Sequence, residues 1–429
     1  MHYPYAEVEF ESTGAVHDPS QRQAAIDLVT SSAATDVLVL AHGWNNDMPA
    51  ARRLFEQLTD SVAAAQQRVP GAATRSIVVL GLLWPSVKWA DEDDLAGGGA
   101  GVADEQAGLQ AAIDERIDDP AVAAELARLV PDLETSAAAR EQFLDLLRRH
   151  MPDADPGDED PPPAALVDGE PQAVFDEASG PDVDFGDGEL SGGGAAGVGG
   201  IADADAVGVS DGGAAGFGFG GILRGARNLL NLTTYYTMKD RAGKVGSNGV
   251  AQLLDAVAAA APDARIHLAG HSFGARVVAA AAAAHPDVHA IMLLQGAFSH
   301  HGFAADYNGK GQDGFFRSVL ESRRLAGPLV VTHTGNDKAV GVAYAIASRL
   351  ARQAASGLGG ANDLYGGIGR NGALKTPEVG PGGDLLEVGQ PYRFEAGRVY
   401  NLQSDRFISS HSAVTGPEAG YALLSAMIS

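Results

Sequence analysis

The stretch Arg265 to Ala281, RIHLAGHSFGARVVAAA, constrains the fold of this chain more than any other. An apolar run (Ile266, Leu268, Ala269) meets Gly270-His271-Ser272-Phe273-Gly274, and an alanine and valine series with helical spacing follows. The pattern predicts a strand, a sharp turn and a helix. A serine at the apex of such a turn sits in a strained backbone conformation, and the strand and helix pass too close to admit a Cβ at Gly270 or Gly274. Its hydroxyl then projects clear of its own main chain. The N–H of Phe273 lies at the helix start, where unpaired donors and the helix dipole favour developing negative charge. Chance matches to GxSxG come easily in a chain with 55 glycines; the strand before and the helix after give this one its meaning.

The flanking sequence supplies the sheet this turn needs. Glu7 to Ser12 alternates and suits a half-exposed strand, and Gln23 to Thr30 a short helix. Asp36 to Ala41 (DVLVLA) is a continuous apolar run of the kind buried on both faces, and it ends in His42-Gly43-Trp44-Asn45-Asn46-Asp47. A helix is expected over Met48 to Gln67, then a second buried strand over Ser76 to Leu83. Strand, helix, strand with short connections implies a parallel sheet with helices on its faces. Later strands are expected at Ala290 to Leu294, Pro328 to Thr332 and Arg398 to Leu402, and a closing helix over Pro417 to Met427. Tyr235 to Val245 and Gly249 to Ala261 read as helical.

Between these parts lies a different kind of sequence. The chain of 429 residues carries a net charge of -25; residues 91–220 hold 31 Asp/Glu against 5 Arg, so all the excess sits there. Glu105 to His150 gives two or three helical patterns, whereas residues 151–221, with 16 acids and no Lys or Arg, are expected to be flexible or disordered. Gly216 to Gly221 formally matches GxGxxG, but no strand precedes it and no dinucleotide site is expected. The organisation expected is a catalytic α/β domain from residues 1–90 and 222–429, interrupted by an acidic insertion at 91–221.

Several classes of function are disfavoured. The acidic balance argues against nucleic acid. Without cysteine there is neither a disulfide framework nor a thiolate metal site. No apolar run reaches the ~18 residues of a membrane span, and the start of the chain lacks a signal-like pattern, so a cytoplasmic protein is expected. No cofactor or metal is expected either.

A serine hydroxyl needs a base to take its proton, and that base needs an orienting acid. Both belong at the C-terminal ends of later parallel strands. Asp337, in THTGNDKAV just beyond the Pro328 to Thr332 strand, is the leading acid; Asp306 and Asp405 are the alternatives. His411, after the last strand and before the closing helix, is the leading base. His300, His301 and His333 sit on loops at the same predicted edge and are candidates to line the pocket. Gly43 allows the backbone to turn its amides inward, so the N–H groups of Trp44 and Phe273 are candidates for a two-donor oxyanion hole, with His42, Gly43, Gly270, His271 and Gly274 in support.

With HGW, GHSFG, a later Asp and a terminal His in sequence order, the chain resembles the α/β-hydrolase superfamily, and within it lipase- and esterase-like bacterial members of undefined substrate. The resemblance covers roughly residues 35–90 and 222–425. It implies a nucleophilic Ser272, a base His411, an orienting acid Asp337 and oxyanion donors at Trp44 and Phe273. The expected activity is hydrolysis of a small-molecule or lipid ester, with thioesters and peptides compatible with the same machinery. The alternative is a binding or scaffold protein on this fold whose acidic insertion recruits a partner. The family's lid or cap commonly comes after the sixth strand, whereas this insertion precedes the nucleophile.

Overall fold

The computed structural model describes residues 1–44, 48–86, 102–155, 157–179, 221–285, 287–321, 325–337, 347, 350–351 and 364–429. Among the described residues, eight strands form one sheet in which every pairing is parallel, in the order β1-β3-β2-β4-β5-β6-β8-β7. They are β1 Tyr5–Glu9, β2 Asp36–Ala41, β3 Ile77–Leu83, β4 Arg265–His271, β5 Ala290–Leu294, β6 Leu329–His333, β7 Gly383–Asp384 and β8 Val399–Gln403. Six of the seven expected strands lie within a residue or two of their predicted bounds. The opening one pairs over Tyr5–Glu9, because its partner β3 runs out opposite Glu9. The two-residue edge strand β7 has no apolar run to announce it.

Both sheet faces are covered, and β2 shows how. Val37, Val39 and Ala41 belong to one apolar cluster and Leu38 and Leu40 to another, as the period-two alternation of a strand requires. One face carries helices α1 Pro19–Ser31, α8 Gly221–Lys244, α9 Ala251–Ala260 and α10 Phe273–Ala284, while α2 Met48–Gln66 packs on the closing helix Pro417–Ile428 over the other. The strand order reverses direction on either side of β2 and β4. Their register pairs Ala41 with Gly270, so the loops leaving both strands start level at a topological switch point.

The acidic segment builds a layer of its own on α8. Helices α3 Val102–Arg116, α4 Pro120–Leu129, α5 Ala137–His150 and α7 Pro171–Ala178 pack in succession, Arg148 of α5 bonds to the Leu166 carbonyl in the short α6 Ala164–Asp168, and α3, α5 and α7 also pack on α8. Asp119 and Ser136 cap α4 and α5 by accepting from the N–H groups of Ala121 and Ala139. Covered on one side by this layer and on the other by α10, α8 buries residues right round its circumference, from Leu229 to Met238. The two helices expected near Tyr235 and Gly249 form one continuous helical run, joined by a widened turn at Val245–Val250.

The expectation of disorder over residues 151–221 is corrected in its first part. Residues 157–179 are ordered, with Leu166, Val174 and Phe175 buried in the main apolar cluster. Two of the acids that argued against folding are met by a cation from outside the segment. Lys239 of α8, 2 % exposed, pairs with Asp158 at 2.7 Å and with Asp160. The buried guanidinium of Arg276, on α10, donates from Nε to the Lys239 carbonyl at 2.9 Å and lies over the rings of Phe315 and Phe316. Tyr236 and Tyr365 donate their hydroxyls to the Pro161 carbonyl, and Glu159 accepts from the N–H of Phe315. Residues 158–161 thus form a strap tying the acidic layer to the sheet domain. The Gly216 to Gly221 match lies outside the described residues up to Gly220, and Gly221 opens α8. Among the described residues no helix is long and apolar enough to cross a membrane.

Candidate active site

Ser272 joins β4 to α10 with φ 55° and ψ -123°, a backbone conformation that costs energy for any residue with a Cβ. The cost is held by the fold around it. Its N–H donates to the Leu294 carbonyl at 3.0 Å, and its own carbonyl accepts from Ala275 and Ala297 at 3.0 Å each. A Cβ on Gly274 would stand 2.3 Å from the Ala41 carbonyl oxygen and 2.5 Å from that of His42, so only glycine lets α10 start this close to the end of β2. Phe273 is the first residue of the helix, and its N–H has no intrahelical acceptor.

The turn after β2 meets the same point from the other side. A Cβ on Gly43 would stand 2.7 Å from Ser272 Cβ and 2.9 Å from His271 Nδ1. His42 locks this turn: Nδ1 faces the Gly43 carbonyl at 2.9 Å and Nε2 accepts from the N–H of Trp84 at 3.2 Å, which assigns the proton to Nδ1. Trp84 Nε1 returns a bond to the His42 carbonyl at 3.0 Å. Burial pushes the His42 imidazole down to about 4, partly offset by its bond to Gly43, so it is neutral near pH 7. Trp44 sets its ring edge-on to Phe273 at 5.5 Å between centroids, and Tyr235 of α8 packs on the same phenyl ring at 5.2 Å. The two candidate oxyanion residues are therefore in contact.

His411 and Asp337 come together across 74 residues of chain, with His411 Nδ1 2.9 Å from Asp337 Oδ2. Asp337 is wholly buried, His411 is 5 % exposed and Ser272 4 %. The carboxylate can only accept, so Nδ1 carries the proton and the Nε2 lone pair is the proton-accepting site of the neutral ring. His411 also packs on the neighbour of Ser272. Its ring lies 4.8 Å from that of His271, whose Nε2 donates to the His411 carbonyl at 2.9 Å. Burial, reinforced by the adjacent His411, pushes the His271 imidazole down to about 3 and keeps it neutral.

The alternative acids are elsewhere. Asp306 lies on a loop with φ 48°, where its carboxylate accepts from the Gly311 N–H at 2.6 Å. Asp405 bonds to the loop that carries Asp337 and not to the His411 ring: its Oδ1 accepts from Thr334 Oγ1 at 2.5 Å and from the Gly335 N–H at 2.9 Å. Strand ends decide this. β6 and β8 are neighbours, so the loops leaving them run side by side. His300 and His301 are buried with ring centroids 4.0 Å apart, His300 against Asn371 and His301 stacked on Tyr307. Burial pushes His301 down to about 4. His333 ends β6, where its carbonyl accepts from the Ser404 N–H at 2.8 Å.

Gln295 was not singled out in the sequence. It follows β5 with φ 46°, is fully buried, and donates from Nε2 to the Gly369 carbonyl at 3.1 Å and towards Asp337 Oδ2 at 3.4 Å. Thr332 Oγ1 donates to its Oε1 at 2.8 Å, which fixes the amide's orientation. A non-glycine residue of positive φ leaves no trace in sequence. Asp158, Glu159 and Asp160 set carboxylate oxygens within 4.8 Å of one another, and Asp158 and Asp160 hold the Lys239 ammonium.

A family model described as the alpha/beta hydrolase fold matches residues 229–347. The chain has the α/β-hydrolase fold. The matched stretch runs from α8 past Asp337 and includes Ser272; the turn at Gly43 and the loop at His411 lie outside it. No curated protein and no solved structure matches the chain. On this fold, a serine on a strained strand-to-helix turn, an imidazole bonded to a buried carboxylate and two backbone turns meeting at the serine form an arrangement suited to acyl transfer.

Proposed function

We propose that this protein of α/β-hydrolase fold is a serine hydrolase that cleaves carboxylic esters through an acyl-enzyme. Ser272 is the nucleophile, His411 the general base and Asp337 the acid that orients it. The observation that carries the reading is the 2.9 Å bond from His411 Nδ1 to buried Asp337 Oδ2, made beside a serine held at φ 55°. In the reaction, His411 Nε2 takes the Ser272 proton as Oγ attacks the ester carbonyl. The N–H groups of Trp44 and Phe273 receive the oxyanion. The alcohol departs with the proton from His411, and water repeats the sequence to release the acid. One oxyanion donor of this type contributes ~3 kcal/mol to the transition state. Lipid esters and thioesters fit the same chemistry.

The acidic segment is read as an insertion into this hydrolase domain, joined through α8 to the helix that begins beside Ser272. The test is a fluorophosphonate probe on the full chain beside Ser272→Ala and His411→Ala, with the adduct located by peptide mass spectrometry and turnover followed on short and medium acyl esters. Labelling at Ser272 that disappears in both variants supports the assignment. A folded protein that neither labels nor turns over esters would end it.

A further inference from the structure

Asp337 lies four residues beyond the end of β6 and His411 eight beyond the end of β8. Strand pairing fixes only the roots of these loops, at His333 opposite Gln403. Beyond them, four hydrogen bonds tie loop to loop. Asp405 Oδ1 accepts from Thr334 Oγ1 at 2.5 Å and from the Gly335 N–H at 2.9 Å. In the opposite sense, Asn336 Nδ2 donates to the carbonyls of Asp405 and Ile408, at 3.0 Å each. Asn336 precedes Asp337 directly, and Ile408 is three residues before His411.

We propose that Asp405 and Asn336 form a reciprocal clamp that sets the distance and angle between Asp337 and His411, making both positioning residues for the reaction proposed above, on which this inference rests. Each supplies what the other loop lacks. The Thr334–Gly335 turn offers donors and receives a carboxylate, while the Asp405–Ile408 turn offers carbonyls and receives an amide. Gln403 Nε2 holds the second Asp405 oxygen at 2.9 Å, which fixes the carboxylate from behind. Burial alone would raise this carboxyl, but the bonds from Thr334, Gln403 and Gly335 outweigh it and hold the group below the usual range. Its bonds are therefore charge-assisted at neutral pH, the stronger kind. On the far side Arg370 Nη1 closes the Asp337 loop through the carbonyls of Gly335 and Asp337, at 3.1 and 3.3 Å. Asp405 is exposed, so its side chain is spent on joining loops and not on filling a core.

The energetic consequence is one of placement. A misplacement of ~1 Å at a reacting constellation costs on the order of 100-fold in rate. Asp405→Ala removes two of the four ties, and Asn336→Asp removes the other two by abolishing the donor. Asp405→Asn keeps an oxygen that can accept from Thr334 and Gly335 while removing the charge, so it separates the tie from the field.

The experiment uses the full chain and two independent readouts, with thermal melts to establish that each variant is folded. Proton NMR follows the downfield His411 Nδ1–H resonance, assigned by its loss in His411→Gln. Fluorophosphonate labelling rates, with kcat and KM on a p-nitrophenyl ester, follow the chemistry. Asp405→Ala and Asn336→Asp are expected to lose or broaden the resonance and to label about 10- to 100-fold more slowly, with KM nearly constant; Asp405→Asn should keep the resonance and most of the rate. An unchanged resonance and rate in folded Asp405→Ala and Asn336→Asp would overturn the clamp. So would Asp405→Asn as impaired as Asp405→Ala, or a wild-type protein with no such resonance. A wild-type protein that shows the resonance and never labels, with the resonance lost in the two variants, would keep the clamp and remove the ester-hydrolase reading.

Discussion

Replacing Lys239 by methionine tests how the acidic strap is held. The side chains of Lys239, Asp158 and Asp160 are 3 %, 6 % and 2 % exposed, so the ammonium compensates the Asp158 carboxylate where water barely reaches. Methionine keeps most of the aliphatic stem and removes the charge. Taking one partner from a buried ion pair costs about 3–5 kcal/mol, because the remaining charge is left uncompensated. Arg276 stays nearby, which favours the lower end. The strap can meet that cost by lifting off α8, so its opening equilibrium should rise roughly a hundredfold to several thousandfold.

The pH dependence carries a definite sign. Burial would raise Asp158, but Lys239 and Arg276 more than offset it and hold the group below its ordinary 3.8. In the wild type its contribution is therefore present above pH 3.8 and lost as pH falls through the lower folded value. Without Lys239 burial raises the carboxyl, and stability is lost as pH climbs from the same point. The gap between the two proteins should be wide at pH 7 and close towards pH 4. Asp160 behaves in the second way already, since burial pushes it up to about 8. Hydrogen exchange at the amides of residues 158–160, read by mass spectrometry across that pH range, measures the gap directly. Equal exchange at pH 7, or a gap that does not narrow on acidification, would refute this account of the strap.

Three further outcomes follow from the same geometry. Asp337→Asn, which keeps the shape but presents the wrong hydrogen-bond partner to His411, should lower the labelling rate by about three to four powers of ten with the melting temperature little changed; a loss below tenfold would move the acid's role elsewhere. Gly274→Ala drives a methyl to within 2.3 Å of the Ala41 carbonyl, so the variant should be recovered unfolded or with Ser272 unreactive, and a folded, normally labelling protein would contradict the elbow packing. At the opposite end of the sheet, fully buried Asp36 accepts from Arg75, Arg265 and His267; burial raises it, but these bonds win and hold it well below its ordinary value. Asp36→Asn should cost about 3–5 kcal/mol in denaturant titrations at pH 7, with the difference shrinking as pH falls below 3.8, the reverse of which would refute the pairing.

Much of the architecture is legible in the sequence. The runs Val37 to Ala41 and Ile77 to Leu83 are apolar at successive positions, and only a strand covered on both faces buries such a run. GHSFG reads as an elbow because the glycines answer a steric demand that the structure displays at Gly274. These are local constraints, and local constraints are written in neighbouring residues. Asp405 and Asn336 were different. Asn336 reads as ordinary turn chemistry and Asp405 as an alternative orienting acid, since nothing near either one names a partner about seventy residues away. Lys239 likewise sits in an unremarkable helical stretch, and the segment it anchors reads as too acidic to order.

The sequence by itself therefore determined the parallel sheet, the strained serine and the chain order of serine, acid and histidine, because periodicity and steric exclusion act within a few residues. Only the tertiary structure decided which acid meets His411, that the turn at Gly43 abuts Ser272, and that residues 157–179 fold against α8. Those outcomes depend on buried charges and hydrogen bonds between distant loops, and such energies exist only once the sheet has brought the loops together.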